Sequence, residues 1–409
     1  MLLSFVVFLV IDQFVAFGTG LLDKNIPHRI SNDLQGACRS LATSNSDKLV
    51  MSDTNHDDGQ KWNILPHRTM KNVYKFKNSK TKTALTIGPD NASINKQFPN
   101  ASKALSLTSV SKSRNADQYW KIIPVTTVTT RTLYRLVALE GSKFDSSKVI
   151  GVQCESCDTV QPLEDVEYEG IYWTIEPYEQ VTRPPSGFHS FYQKYINMDG
   201  IPIVSSGRVP DKALYRAYFI VRHMLSASKI LRKTMARKAA KLAVMAQSEV
   251  TTNIPEHSNL TPASHWNVRA RGVGGTRWVP TASCAEENLL CYRSDRYRIE
   301  DITIHEFSHS VQNLGLYFVG GRDFESRLSQ MFRSAIAQGK YASTYAATNK
   351  VEYFAEGVQN WFNVNGESAT PNGIHNSINT RDEMRDYDPQ LYNLVSKWFP
   401  HDRNKCSCH

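Results

Sequence analysis

The stretch Thr303-Ile304-His305-Glu306-Phe307-Ser308-His309-Ser310 constrains this chain more than any other. Residues four apart on a helix point from one face, so His305 and His309 present their imidazoles side by side, with Glu306 held next to them. Apolar Ile302 and Ile304 lead into the motif, as suits a helix laid against a core. Two imidazoles on one face can share a metal. A catalytic zinc takes three protein ligands and keeps its fourth position for water, so a third ligand is required.

The run from Val351 to Phe362 supplies one. Tyr353, Phe354, Val358, Trp361 and Phe362 recur at helical spacing, and Glu352 and Glu356 share the side that meets the first helix. His305, His309 and Glu352 then form a two-His, one-Glu set. The rival set, with a third His two turns on, fails because Gln312 and Gly315 stand where Gly and His would be needed. Tyr345 lies just before Glu352 and offers a phenol to a developing oxyanion. The plainer reading makes the two His ordinary residues of a partly buried helix and Glu352 a surface acid; the aromatic second helix and Tyr345 weigh against it. Glu356, one turn beyond Glu352, is expected either to orient a ligand imidazole or to be a surface acid. His375, beyond the second helix in a loop rich in Gly and Asn, is expected either to line the cleft or, as is commoner for a lone His there, to lie at the surface.

His-Glu-Phe-Ser-His together with Tyr345 and Glu352-Tyr353-Phe354-Ala355-Glu356 resembles the lethal-factor-like zinc metallopeptidases, named for the anthrax toxin component. The resemblance takes in Gly200-Ile201-Pro202-Ile203, Pro255-Glu256-His257, Arg271 to Thr276 and Asn379 to Glu383, and so covers about residues 185 to 402. It implies a mainly α, α+β zincin-like domain over residues 189–402 that holds one Zn2+ through His305, His309 and Glu352. Glu306 is implied as general base and Tyr345 as transition-state donor. No particular substrate is implied.

Residues 1–20 read as a secretory signal peptide: an apolar run Leu2 to Ile11, then small residues at Gly18 and Gly20. A membrane anchor is the rival, but the uninterrupted run is too short for the ~30 Å hydrocarbon core. A soluble, secreted, extracellular protein without stable membrane insertion is expected. At 409 residues there is room for two or three domains with their own cores. In an oxidising compartment the seven cysteines favour disulfides; Cys284 and Cys291 are placed to close a short loop, Cys154 and Cys157 form a close pair, Cys406 and Cys408 sit in a tail over residues 403–409, and Cys38 is left over. Sequons at Asn91, Asn100 and Asn259 allow glycosylation.

Residues 24–178 change character, with short β-type runs, turn residues and no sustained helical period. Gln60-Lys61-Trp62-Asn63-Ile64, Gln118-Tyr119-Trp120-Lys121-Ile122 and Ile171-Tyr172-Trp173-Thr174-Ile175 repeat one pattern, each preceded by apolar or aromatic strand residues. The copies predict a threefold all-β barrel, and the Gln-x-Trp runs resemble the ricin-type β-trefoil lectins. The tryptophans are expected in the core. Sugar binding would need an exposed acid or amide beside an aromatic ring, for which Asp145 is a candidate.

A linker over residues 179–188 follows, punctuated by Pro184, Pro185 and Gly187. Lys212 to Leu225 predicts a packed helix. Lys229 to Lys241 is basic and amphipathic, read as a solvated face and not as a nucleic-acid site, although the net charge of +9 allows steering toward acidic surfaces. Leu242 to Ala246 predicts a buried strand, a candidate for the edge that pairs with extended substrate. The glycines of Arg271 to Thr276 predict a tight turn. The chain is therefore expected to be a secreted zinc endopeptidase acting on protein or peptide substrates, directed to glycans by its β-trefoil. The alternative is a carbohydrate-binding or toxin-like interaction protein whose peptidase domain is inactive or secondary.

Overall fold

The computed structural model describes residues 27–32, 39–44, 49–53, 58–87, 105–109, 118–125, 133–140, 143–151, 161–164, 173–401 and 407. The expected signal peptide, the sequons at Asn91 and Asn100, the side chain of Asp145 and Cys38, Cys154, Cys157, Cys406 and Cys408 lie outside them. The chain forms two compact units, Met1–Tyr178 and Glu179–His409.

The first unit holds twelve described strands: β1 (His28–Asn32), β2 (Arg39–Thr43), β3 (Leu49–Asp53), β4 (Trp62–Pro66), β5 (Val73–Asn78), β6 (Thr83–Ile87), β7 (Leu105–Ser109), β8 (Trp120–Val125), β9 (Leu133–Glu140), β10 (Lys143–Gly151), β11 (Gln161–Glu164) and β12 (Trp173–Pro177). Antiparallel pairs β1·β4, β4·β5, β5·β8, β8·β9, β9·β12 and β12·β1 close a ring of six strands. The remaining strands form three hairpins, β2·β3, β6·β7 and β10·β11. Four strands recur three times, which is β-trefoil topology and leaves the ring no open edge.

Each repeat is pinned in the same way. Trp62, Trp120 and Trp173 open β4, β8 and β12, and all three are fully buried. Their indole N–H groups donate to Leu41 O at 2.8 Å, Leu85 O at 3.1 Å and Ile150 O at 2.8 Å, carbonyls of β2, β6 and β10. Two positions on, Ile64, Ile122 and Ile175 join the same core. Alternation along the strand sends Trp and Ile to one face, and the indole N–H meets the hairpin carbonyl that would otherwise be buried unpaired.

The second unit is built on a four-stranded sheet, β13 (Lys194–Met198), β14 (Ile201–Ser205), β15 (Lys241–Met245) and β16 (Thr281–Ala285), in that order. β13 and β14 form a hairpin whose turn, Asp199-Gly200, takes φ of 51° and 90°, the left-handed pair such a two-residue turn requires. β14, β15 and β16 are parallel. The helices are α1 (Asp211–Met224), α2 (Lys229–Arg237), α3 (Ala263–Arg269), α4 (Glu286–Leu289), α5 (Ile302–Ser310), α6 (Gly321–Ala337), α7 (Lys350–Trp361), α8 (Arg381–Tyr387) and α9 (Pro389–Val395). None of the described helices is long and apolar enough to cross a membrane.

Three expectations are corrected here, on the edge strand, the tight turn and the Cys284–Cys291 loop. β15 lies inside the sheet, so Leu242 to Ala246 offers no free edge. Arg271 to Thr276 is not a tight turn: Val273 bridges antiparallel to Ser283 on the outer side of β16, and the turn comes later, where Thr276 N–H donates to Val279 O at 2.8 Å. The linker is tied down at Thr182, which exchanges two backbone hydrogen bonds of 2.9 Å with Tyr195 of β13. Cys284 is a free, buried thiol, while Cys291 is disulfide-bonded, so the two do not close a loop on each other.

Trp120→Ala is expected to cost about 3–5 kcal/mol, from lost burial plus the residual cavity, and Trp120→Phe less. Urea unfolding of the full chain, followed by far-UV circular dichroism, measures both; equal, negligible effects would remove the indoles from their place as the ties of the trefoil.

Candidate metal centre

Helix α5 starts where Asp301 caps it, its carboxylate accepting from Ile304 N at 2.9 Å. Ile302, Ile304, Phe307 and Ser308 are buried, and the helix packs on β16 and against α7. The chain continues beyond Ser310 as a π-helical stretch, Val311–Leu316. Gly315 lets this stretch meet α2, since a Cβ there would stand 2.3 Å from Leu231 Cδ1. The apolar side of α2 is thereby used in packing. Helix α7 is capped by Asn349, whose side-chain oxygen accepts from Val351 N at 2.9 Å and Glu352 N at 3.1 Å, which fixes the turn that carries Glu352.

The two helices bring together one donor atom each from His305, His309 and Glu352, all within 4.8 Å of one another. Glu352 Oε2 lies 3.1 Å from His305 Nε2 and 3.3 Å from His309 Nε2. Those separations are what neighbouring ligands of an ion bound at ~2.0–2.2 Å leave between themselves.

The far side of His305 decides which nitrogen is available. Gln359 donates through Nε2 to Glu300 Oε2 and to Asp301 O, both at 3.2 Å, so its amide oxygen must face the other way. That oxygen lies 2.7 Å from His305 Nδ1 and accepts its proton. Nδ1 therefore keeps its proton, and Nε2, which faces Glu352 and His309, is the nitrogen left for a metal once it gives up its own. A metal-binding imidazole needs this orientation. Two imidazole nitrogens and one carboxylate oxygen fit zinc.

Glu356 is buried and accepts from Asn365 Nδ2 at 3.0 Å, with its other oxygen 3.5 Å from His305 Nδ1. The surface-acid reading of Glu356 is thus corrected, although Gln359 is the nearer partner of the imidazole. His375 is likewise buried, not superficial: its Nε2 stands 3.6 Å from Glu300 Oε1, and its ring packs so close to Gly366 that a Cβ there would be 2.6 Å away. Gln359 and Glu300 were not singled out in the sequence. Gln359 is two turns beyond Glu352, on the same face of the helix, and that was the available signal.

Glycines keep the other wall close. Cβ atoms at Gly272 and Gly274 would stand 2.8 Å from Glu306 Cγ and 2.5 Å from His309 Cδ2. The start of this segment is held by buried Arg271, which donates to Glu287 Oε1 at 2.6 Å, Glu287 Oε2 at 3.0 Å and Ala246 O at 3.0 Å. Tyr345 is half-buried, with its ring centroid 6.1 Å from that of His305. Its hydroxyl accepts from Arg269 Nη2 at 3.4 Å.

The electrostatics follow from crowding carboxylates around imidazoles. Burial alone would lower the pKa of His305; the hydrogen bond to Glu352 and the charges of Glu306 and Glu356 override it and push the value up to about 10. Burial would raise the pKa of Glu352, but the two imidazoles hold it well below the usual carboxylate range. Burial raises Glu306, opposed by the charges of His305 and His309. Burial also raises Tyr345.

No known family profile matches the chain, and no curated protein does. Among solved structures, the chain is similar to the designed threefold symmetric protein ThreeFoil, at 16% identity over 38% of this chain and 100% of that one, with a TM-score of 0.30. It is similar to a ricin B-like lectin from Macrolepiota procera in complex with lactose, at 13% identity over 37% and 95%, with a TM-score of 0.28. A salivary protein from Culex of a cysteine- and tryptophan-rich family matches at 18% identity over 37% and 94%, with a TM-score of 0.28. Likenesses this slight carry nothing about function.

Zinc uptake by the metal-free protein at pH 7 is expected to release about one proton, from His305, whose pKa of about 10 keeps it charged. Because the protonated imidazole competes with the metal, affinity rises with pH and levels off above that value. Titration calorimetry in buffers of different ionisation enthalpy reads the proton directly. Gln359→Met is expected to weaken zinc about 10–100-fold in competition with a chromophoric chelator.

Proposed function

We propose that the second unit is a zinc-dependent endopeptidase with a zincin-like build, akin to the lethal-factor-like metallopeptidases that its sequence resembles. The observation that carries this reading is the convergence of His305 Nε2, His309 Nε2 and Glu352 Oε2, with Gln359 holding the opposite nitrogen of His305. Zinc in that set would acidify a water and polarise the scissile carbonyl.

The chain's own residues supply the rest. Glu306 follows the first ligand directly, and its burial-raised pKa brings it nearer neutrality, where a group can both take a proton from water and return it to a departing amine. Tyr345 stands over His305 with a hydroxyl available to an oxyanion, a contribution worth about 2.7–4 kcal/mol where single donors have been removed. The close wall at Gly272 and Gly274 leaves backbone, without side chains, beside Glu306 and His309. An extended polypeptide laid along that wall is the substrate class this reading assigns. Secretion belongs to the same reading, and the trefoil would direct the enzyme to glycosylated targets.

The trefoil itself favours a second reading, a carbohydrate-binding or toxin-like interaction protein in which the peptidase unit is inactive or secondary. Glu306→Gln separates the two. With about one zinc retained per chain, the variant is expected to lose roughly 10²–10⁴-fold in cleavage of a mixed peptide library. Full biological action by that variant would instead favour the second reading, and a glycan array would then identify the ligand.

A further inference from the structure

We propose that Arg269 is a second catalytic donor of this site, binding the oxyanion of the attacked peptide bond together with Tyr345; this rests on the endopeptidase reading above. Helix α3, which ends at Arg269, buries none of its residues. A surface helix of one to two turns frays unless something holds it. Here the carbonyls at its end are taken one after another. Val268 O accepts from Arg296 Nη1, Arg269 O from Tyr297 Oη at 2.9 Å, and Ala270 O from Thr251 Oγ1 at 2.7 Å. Thr252 N donates to Asn267 Oδ1 at 3.0 Å on the same turn. Side chains thus satisfy a helix end that water would otherwise serve, and the backbone under Arg269 is fixed.

What this clamp holds in place is a guanidinium beside Tyr345. Arg269 Nη2 donates to Tyr345 Oη at 3.4 Å, and Arg269 is close enough to feel the charge of Glu352. A guanidinium has five N–H donors, so the bond to Tyr345 does not exhaust it. Because Tyr345 Oη accepts from Arg269, its own proton is directed elsewhere and can be donated to a third atom. In the reaction a water oxygen bonds to the carbonyl carbon as the C=O π pair moves onto oxygen, and the water's proton passes to Glu306. The new oxyanion takes hydrogen bonds from the Tyr345 O–H and an Arg269 N–H. As the pair returns, the C–N bond breaks and the amine leaves with the proton from Glu306. A charged donor at that oxygen is roughly twice as strong as a neutral one.

The test compares wild type, Arg269→Gln, Arg269→Lys, Tyr345→Phe and the Arg269→Gln/Tyr345→Phe pair on the best substrate of a peptide library. Zinc content and thermal midpoint are measured alongside. Arg269→Gln is expected to lower kcat about 10²–10³-fold with little change in KM. Arg269→Lys should recover part of that loss, and the pair should fall short of the product of the single effects. A binding readout accompanies it: Arg269→Gln should weaken a phosphinic peptide, a tetrahedral anion, about 10²-fold. In the Glu306→Gln background the same change should leave uncleaved substrate binding nearly unaltered. A loss confined to KM, or equal weakening of both peptides, would make Arg269 a substrate anchor and overturn the proposal while the peptidase reading stands. If wild type cleaves no better than Glu306→Gln, the peptidase reading falls and this proposal with it.

Discussion

The second unit turns on the orientation of one amide. Gln359 has a donor end and an acceptor end, and two acceptors, Glu300 Oε2 and Asp301 O, claim the donor end. The acceptor end is left for His305 Nδ1, which keeps a proton there and leaves Nε2 as the nitrogen that faces Glu352 and His309. Around it four carboxylates, Glu300, Glu306, Glu352 and Glu356, stand among three imidazoles, His305, His309 and His375, in a region largely shut off from water. Charges taken out of water are costly unless paired, and burial accordingly raises the pKa of Glu306 and Glu356. A dication held by His305, His309 and Glu352 would reverse the preference of His305 for its proton.

Geometry on the opposite wall depends on missing side chains. The segment from Arg271 crosses α5 at a distance that any Cβ at residues 272, 274 or 275 would violate, the last meeting Ser310 Oγ at 2.2 Å. None of these three glycines has positive φ, so they serve close approach and not an unusual backbone. Arg271 anchors the segment at one end through a bidentate pair with Glu287, and the bridge from Val273 to Ser283 lays it along β16. Such a buried pair costs about 3–5 kcal/mol to break from one side, so the wall and α5 hold their spacing together.

What could be read from the sequence was what lies within one element or repeats along the chain. The His pair of α5, the acid of α7 and the three tryptophans belong to that kind, because helical and strand periods dictate which side chains share a face. Contacts set by long-range register were not readable. Whether Leu242 to Ala246 is an edge or a central strand depends on β14 and β16 arriving on either side of it. His375 sits in a loop whose composition suggests solvent, yet Glu300 and Gly366 draw it inward. Gln359 is one of several polar residues on its helix; only the positions of Glu300 and Asp301, from a different part of the chain, give it a direction.

The buried indoles of the trefoil and the buried His and Glu cluster of the second unit are satisfied in different ways. In the trefoil each buried indole N–H ends on a main-chain carbonyl, a neutral pair with nothing left over. A group satisfied in this way ties strands together and has no further capacity. In the second unit the buried groups end on one another: His305 on Gln359 and Glu352, His309 on Glu352, Glu300 on Gln359 and His375. Two imidazole nitrogens meet at a single carboxylate oxygen, Glu352 Oε2, at 3.1 and 3.3 Å. Among the described residues, this is where one donor atom from each of three metal-ligating side chains comes within 4.8 Å of the others.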